Sequence, residues 1–188
     1  MPADPVTDYR VLAAVAHPLR RRLLDLLRAD GPATATTLAA RTGAAVGSVS
    51  HHARVLAAHG LVLEAPELAR DGRERWWRLG DARVSWSTRD FADDPAGAAA
   101  SSAAEELGLR RQLELLDGWR SRTATADPAW VDAAHSTDMW MRLTPDELRT
   151  MSAELDALLQ AWRTRALPDD GAEREAVFVF ARAFPARP

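Results

Sequence analysis

The sequence predicts a mainly α fold in two parts, and three observations carry that reading. A short helical segment at Thr34–Thr42 is followed by Gly43 and by a second helical segment centred on Val49–Leu56. Two strand-like runs then flank an Asp-Gly pair at residues 71–72. From residue 98 onward apolar residues recur mostly at helical spacing. The expected organisation is an N-terminal winged helix-turn-helix with a β-hairpin wing over residues 1–80, then a linker with a short strand over 81–100. An acidic helical part over 101–188, containing dimerisation surfaces, follows and is closed by one small strand pair.

Residues 1–6 read as a loose arm. Tyr9, Leu12 and Val15-Ala16 begin an amphipathic helix, and Pro18 opens another at a first-turn position that tolerates proline. Leu19, Leu23, Leu26 and Leu27 form its apolar stripe, with Arg20, Arg21 and Arg22 between them. Those arginines fit either a solvated helix face or contacts to a phosphate backbone. Asp30-Gly31-Pro32 stops the helix. The next helix takes Thr34 or Thr36 as its cap and Gly43 as its stop.

The segment after Gly43 is the centre of the chain. Val49, Ala53 and Leu56 fall at i, i+4 and i+7 and make a core stripe. At about 100° per residue, Gly47, His51 and Arg54 point away from it, with Ser48 and Ser50 on its flanks. That outward face is small, hydroxyl-bearing or cationic and has no acid, which suits a helix entering a major groove between phosphates. His52 lies nearer the core stripe and reads as structural. Leu61–Glu64 and Arg75–Leu79 are the strand runs around Arg70-Asp71-Gly72-Arg73, and Asp-Gly is a strong hairpin signal. Arginines at such a tip suit phosphate or minor-groove contacts, though Glu67, Asp71 and Glu74 dilute the local field. Trp76 and Trp77 alternate across the second strand, one expected in the core and the other over the junction with the second part.

These residues resemble the ArsR-type winged helix-turn-helix repressors over residues 8–80. The resemblance is carried by His17-Pro18-Leu19-Arg20, by Ser48-Val49-Ser50-His51-His52, and by Val55-Leu56-Ala57-Ala58-His59-Gly60-Leu61-Val62. It departs at Ala53, where related proteins commonly carry Leu. It implies repression by occupying promoter DNA, and a homodimer on a (pseudo)palindromic duplex is expected. The candidate DNA-binding residues are Thr36, Gly47, Ser48, Ser50, His51, Arg54, Arg70, Arg73 and Arg75.

In the second part, Leu109, Leu113 and Leu116 share a face of a helix over 98–123, enough for helix–helix docking and too short for a coiled coil. Pro128-Ala129-Trp130 starts a short helix running towards Met139-Trp140. Thr144-Pro145-Asp146-Glu147 is a capping box with Pro at the first helical position, and Leu148, Met151, Leu155, Leu158, Leu159 and Trp162 follow on one face. Val177–Phe184 is rich in β formers and needs a partner, for which Val84–Thr88 is the candidate. Trp119, Trp130, Trp140 and Trp162 concentrate here, as ordinary core or as the lining of a pocket for a small apolar effector.

Composition narrows the function further. The 188 residues contain no Cys, so disulfides, thiolate metal ligands and cysteine nucleophiles are excluded. No apolar run reaches the ~18 residues of a membrane span, and the start does not read as a signal peptide, so a cytoplasmic protein is expected. The net charge of −3 hides an asymmetry: residues 1–80 carry 11 Arg against 8 acids, and residues 81–188 carry 13 against 19. His52 and His59 stand roughly 10 Å apart along a helix, and His51 and His52 diverge, so no metal site is expected. No nucleophile–base pair or paired acids suggest an enzyme, and no cofactor is expected. The sequence therefore points to duplex-DNA binding by a transcriptional regulator. Two alternatives stand beside it: a winged-helix protein–protein interaction module without DNA binding, and a regulator gated by an apolar small molecule.

Overall fold

The apolar stripe of each N-terminal helix is satisfied by the others around one core. In the computed structural model, which describes residues 8–71, 74–80, 88–91 and 93–187, α1 (Tyr9–Val15) is capped by the Asp8 side chain, which accepts from the Arg10 amide. Helix α2 (Pro18–Asp30) buries Leu23, Leu24 and Leu27. A two-residue strand β1 (Ala33–Thr34) leads directly into α3 (Ala35–Thr42). Of the two cap candidates it is Thr34 that serves, its hydroxyl accepting from the Thr37 amide at 3.1 Å. Gly43 ends α3 with φ at 74°, a left-handed conformation that costs glycine little, and its amide donates to the Ala39 carbonyl.

Helix α4 (Val46–Ala58) follows and buries Val49, Ala53 and Leu56, the stripe its periodicity predicts. Strands β2 (Val62–Glu64) and β3 (Trp76–Leu79) pair antiparallel, Val62 opposite Leu79 and Glu64 opposite Trp77. Strand β1 pairs the other edge of β3, giving the order β1-β3-β2. Strand β1 carries no β-former pattern of its own. Its existence depends on Trp76 and Trp77 lying opposite it. The core therefore joins Leu23, Leu24 and Leu27 of α2, Leu38 of α3, the α4 stripe and Trp77 of β3.

Helix α5 (Pro95–Arg120) begins inside the stretch expected as linker. Asp94-Pro95 is a helix start, with the Asp94 carboxylate accepting from the Ala96 amide at 3.0 Å and proline in the first turn. The helix buries a stripe of small residues, Gly97, Ser101, Ala104 and Gly108. A Cβ at Gly97 would stand 2.6 Å from Cδ1 of Phe91, so the close approach of that buried ring requires glycine there. Ala104 belongs to the core. Arg111 of α5 reaches Asp25 of α2 at 3.1 Å. The N-terminal unit consequently runs to Asp117, well past residue 80.

The second unit, Gly118–Pro188, contains α6 (Pro128–Ala133) and α7 (Pro145–Thr164). Helix α7 starts with the expected capping box. The Thr144 amide donates to Glu147 at 2.7 Å, which holds the Glu147 carboxyl below its ordinary range. Helix α6 ends at Ala133 and does not run on towards Met139-Trp140. The expected strand at Val177–Phe184 is not formed: residues 171–187 make neither helix nor strand, and Val177, Phe178, Val179, Phe180 and Phe184 are exposed. Of its expected partner, residues 84–87 lie outside the described residues, and Thr88 opens a 3-10 turn to Phe91. β-former composition without a neighbouring strand edge leaves backbone groups to solvent. No described residue of this unit is fully buried.

The core stripe of α4 has a direct test. Leu56 is 0% exposed, so Leu56→Ala should lower unfolding free energy by about 2–5 kcal/mol in urea titration. A loss below roughly 0.5 kcal/mol, the range of surface changes, would contradict this packing.

Candidate nucleic-acid interface

The face of α4 opposite its buried stripe is open. Gly47, His51 and Arg54 are exposed, Ser48 and Ser50 are half-buried on the flanks, and His52 is half-buried towards α2. A Cβ built at Gly47 meets nothing within 4 Å, so nothing crowds the first turn of the helix. The Arg54 guanidinium donates to the Ser50 carbonyl at 3.1 Å and so lies along its own helix. Thr36 is exposed in the first turn of α3, one helix away. The outward surface of α4 carries no carboxylate from Val46 to Ala58.

The arginines of α2 are occupied elsewhere. The Arg20 guanidinium donates to the carbonyls of Ala13 and Ala14 at the end of α1. Arg22 donates to the carbonyl of Arg41 at the end of α3, at 3.1 Å. The last carbonyls of a helix lack intrahelical partners, so both contacts close helix ends. Arg21 sits 3.7 Å from Asp25, which also holds Arg28 and Arg111. Arg20 and Arg22 tie α2 to the ends of α1 and α3, Arg22 remaining exposed, while Arg21 pairs with Asp25 of its own helix.

The connection between β2 and β3 is longer than a tight hairpin turn. It includes a 3-10 turn at Pro66–Leu68, and the Glu74 amide donates to the Asp71 carbonyl at 3.3 Å. The Glu74 carboxylate organises this loop, accepting from the Arg70 amide at 3.2 Å and from the Trp76 indole at 3.1 Å. Arg70 is exposed, and Arg73 lies outside the described residues. Arg75 stands 3.6 Å from Glu64, both side chains more than half exposed. An exposed pair of this kind contributes about 0–1 kcal/mol, so the Arg75 guanidinium can exchange its partner for a phosphate at small cost. Arg78, 3.9 Å from Glu67, is a further cation on the same strand that the hairpin pattern did not single out. Trp77 is the core tryptophan, and Trp76, half-buried, is tied to the wing through Glu74.

The tryptophans considered for an effector pocket are not enclosed. Trp140 and Trp162 are 68% and 60% exposed, the Arg165 guanidinium lies 4.5 Å over the Trp162 ring, and Trp119 and Trp130 are half-buried. Trp140 and Trp162 are therefore largely open to solvent. Among the described residues no group of three or more His, Asp or Glu side chains could hold a metal ion. No helix of the described residues is long and apolar enough to cross a membrane.

A family model described as "Helix-turn-helix domain" matches residues 15–65, the span from the end of α1 through β2. No curated protein matches the chain. The chain thus contains a helix-turn-helix domain, the kind of domain that DNA-binding regulators present to duplex DNA.

His51 separates contact from packing. His51→Ala should leave stability within about 0.5 kcal/mol, as for surface substitutions. Affinity for a specific duplex should fall by about 1–3 kcal/mol, the worth of one good base contact, with non-specific binding less affected. A thermal melt paired with a binding titration checks both. Lost stability with unchanged affinity would reverse the roles of His51 and His52.

Proposed function

We propose that this protein is a sequence-specific, duplex-DNA-binding transcriptional regulator of the ArsR-like winged helix-turn-helix type, acting as a homodimeric repressor. The observation that carries the reading is the acid-free outward face of α4. Gly47, Ser48, His51 and Arg54 are presented outward by a helix whose opposite face is locked into the core. Ser50 and Thr36 extend that surface, and Arg70, Arg73 and Arg75 belong to the wing that would track the adjacent phosphates. The ArsR-type assignment rests on the motifs at residues 17–20, 48–52 and 55–62, and repression by promoter occupancy is what that resemblance implies.

Homodimerisation is supported by α5. Leu109, Leu113 and Leu116 recur at i, i+4 and i+7 and are 41%, 48% and 39% exposed. They form an apolar seam on a different face from the buried small-residue stripe. Two copies of the reading helix related by a two-fold axis would engage two half-sites one helical turn apart.

Salt titration of genomic duplex fragments tests DNA binding against the protein-docking alternative. The reading requires a steep fall in affinity with salt, and Arg73→Ala and Arg75→Ala should each weaken all sequences about equally and flatten the slope by about one. Retention of affinity and slope in both variants would remove the wing from the interface. A flat dependence in the unaltered protein would favour the protein-docking module. Separately, Leu113→Asp should halve the mass seen by sedimentation equilibrium, and an unchanged mass would exclude the α5 seam as the dimer contact.

A further inference from the structure

The reading helix is fastened to α2 by two histidines that the proposed DNA contacts do not use. His17 is the N-cap residue of α2 and makes no side-chain capping bond. Its ring and that of His52 on α4 stack with centroids 4.4 Å apart and planes tilted by 37°. His51 stands edge-on to His52 at 5.2 Å. The Nδ1 atoms of His17 and His52 are both buried and find no hydrogen-bond partner among the described residues. Neutral aromatic rings gain from such a contact. Two imidazolium ions at this spacing would repel; a backbone hydrogen bond at His17 favours the charged ring there, but burial and Arg20 outweigh it.

Among the described residues, the charged groups that act on the two rings are basic. From α2, Arg20 acts on both rings, and from α4, His51 acts on His52. On the α1 side, Arg10 lines the adjoining groove together with Arg20 and His59. Helix α3 and strand β2, also packed on α4, bring no charged group to bear on His52. His17 additionally occupies the N-terminus of α2, where the helix dipole disfavours a cation. We propose that His17 and His52 form an acid-released latch: as neutral rings they hold α4 against the start of α2, and protonation opens that contact and loosens the reading helix. The acid response of the latch stands without any DNA; release of DNA in acid rests on the function proposed above.

The direction follows from where the protons bind. His17 is held below the ordinary 6.5 by burial and then by Arg20, and His52 by burial and then by His17, Arg20 and His51. The folded protein therefore resists protons that the unfolded chain accepts. The stability contributed by the pair is complete above pH 6.5 and is lost as pH falls below it towards the folded-state values.

The test uses the full chain without DNA: thermal melts at pH values between about 7.5 and 5.5, the span of histidine titration. The unaltered protein should melt at progressively lower temperature below about pH 6.5. His17→Gln combined with His52→Gln should remove most of that fall. His17→Phe keeps an aromatic ring on His52 but cannot charge, and should also blunt the fall; it serves where the double variant does not fold. Ring resonances of His17 and His52, assigned by loss of signal in the variants, should titrate below free imidazole. An undiminished acid response in the variants, or titration of both rings at or above the ordinary value, overturns the latch. A second arm adds a duplex selected from genomic fragments at each pH. Loss of binding in acid that His17→Phe prevents extends the latch to DNA release. If the melts respond as stated and no duplex binds at any pH, the DNA reading fails while the latch stands.

Discussion

Everything in the N-terminal unit depends on the rotational setting of α4. Val49, Ala53 and Leu56 are buried against α2, α3 and the sheet, and no other face of the helix could enter that core. Burying three such side chains is worth several kcal/mol at ~25 cal/mol per Å2, and the opposite phase would bury the charged Arg54 at a further cost. Packing therefore decides the phase, and the phase decides which side chains face solvent. Gly47, His51 and Arg54 are outward because the stripe is inward. The short β1 strand and Trp77 act on the same constraint, since they close the core on the side from which the wing departs.

The arginines divide into two kinds of work. Arg20 and Arg22 satisfy carbonyls at the ends of α1 and α3, and Arg111 joins α5 to Asp25 of α2. Arg70 and Arg75 are exposed on the wing, and Arg54 is exposed on α4, where a pair or a bond is cheap to exchange. A net charge of −3 is thus compatible with a cationic reading surface, because the acids gather in the second half.

The α4 phase, the Gly43 turn, the Pro18 and Thr144 helix starts and the strands of the wing were legible because each is a local signal: a period, a cap or a turn residue. What was not legible depends on partners distant in sequence. Strand β1 is two residues long and exists only through pairing with Trp76 and Trp77. The stripe Gly97, Ser101, Ala104, Gly108 of α5 is small residues at helical spacing, a packing signal whose partner lies elsewhere in the chain. Arg20 looked solvated because its acceptors are backbone carbonyls of another helix. In the opposite direction, Val177–Phe184 had strand composition and no ladder. Of the candidate site, the order of exposure along α4 was readable, whereas the role of Glu74 in holding the wing loop was not.

The central claim is that the face of α4 opposite Val49, Ala53 and Leu56 reads duplex DNA. Residue-by-residue NMR perturbation on titrating a selected duplex into the full chain tests it most directly. The account predicts that the largest shifts fall at Gly47, Ser48, His51 and Arg54, then along the wing, while Val49, Ala53 and Leu56 move little. Shifts concentrated on α7 or on residues 171–187, with the α4 face silent, would contradict it.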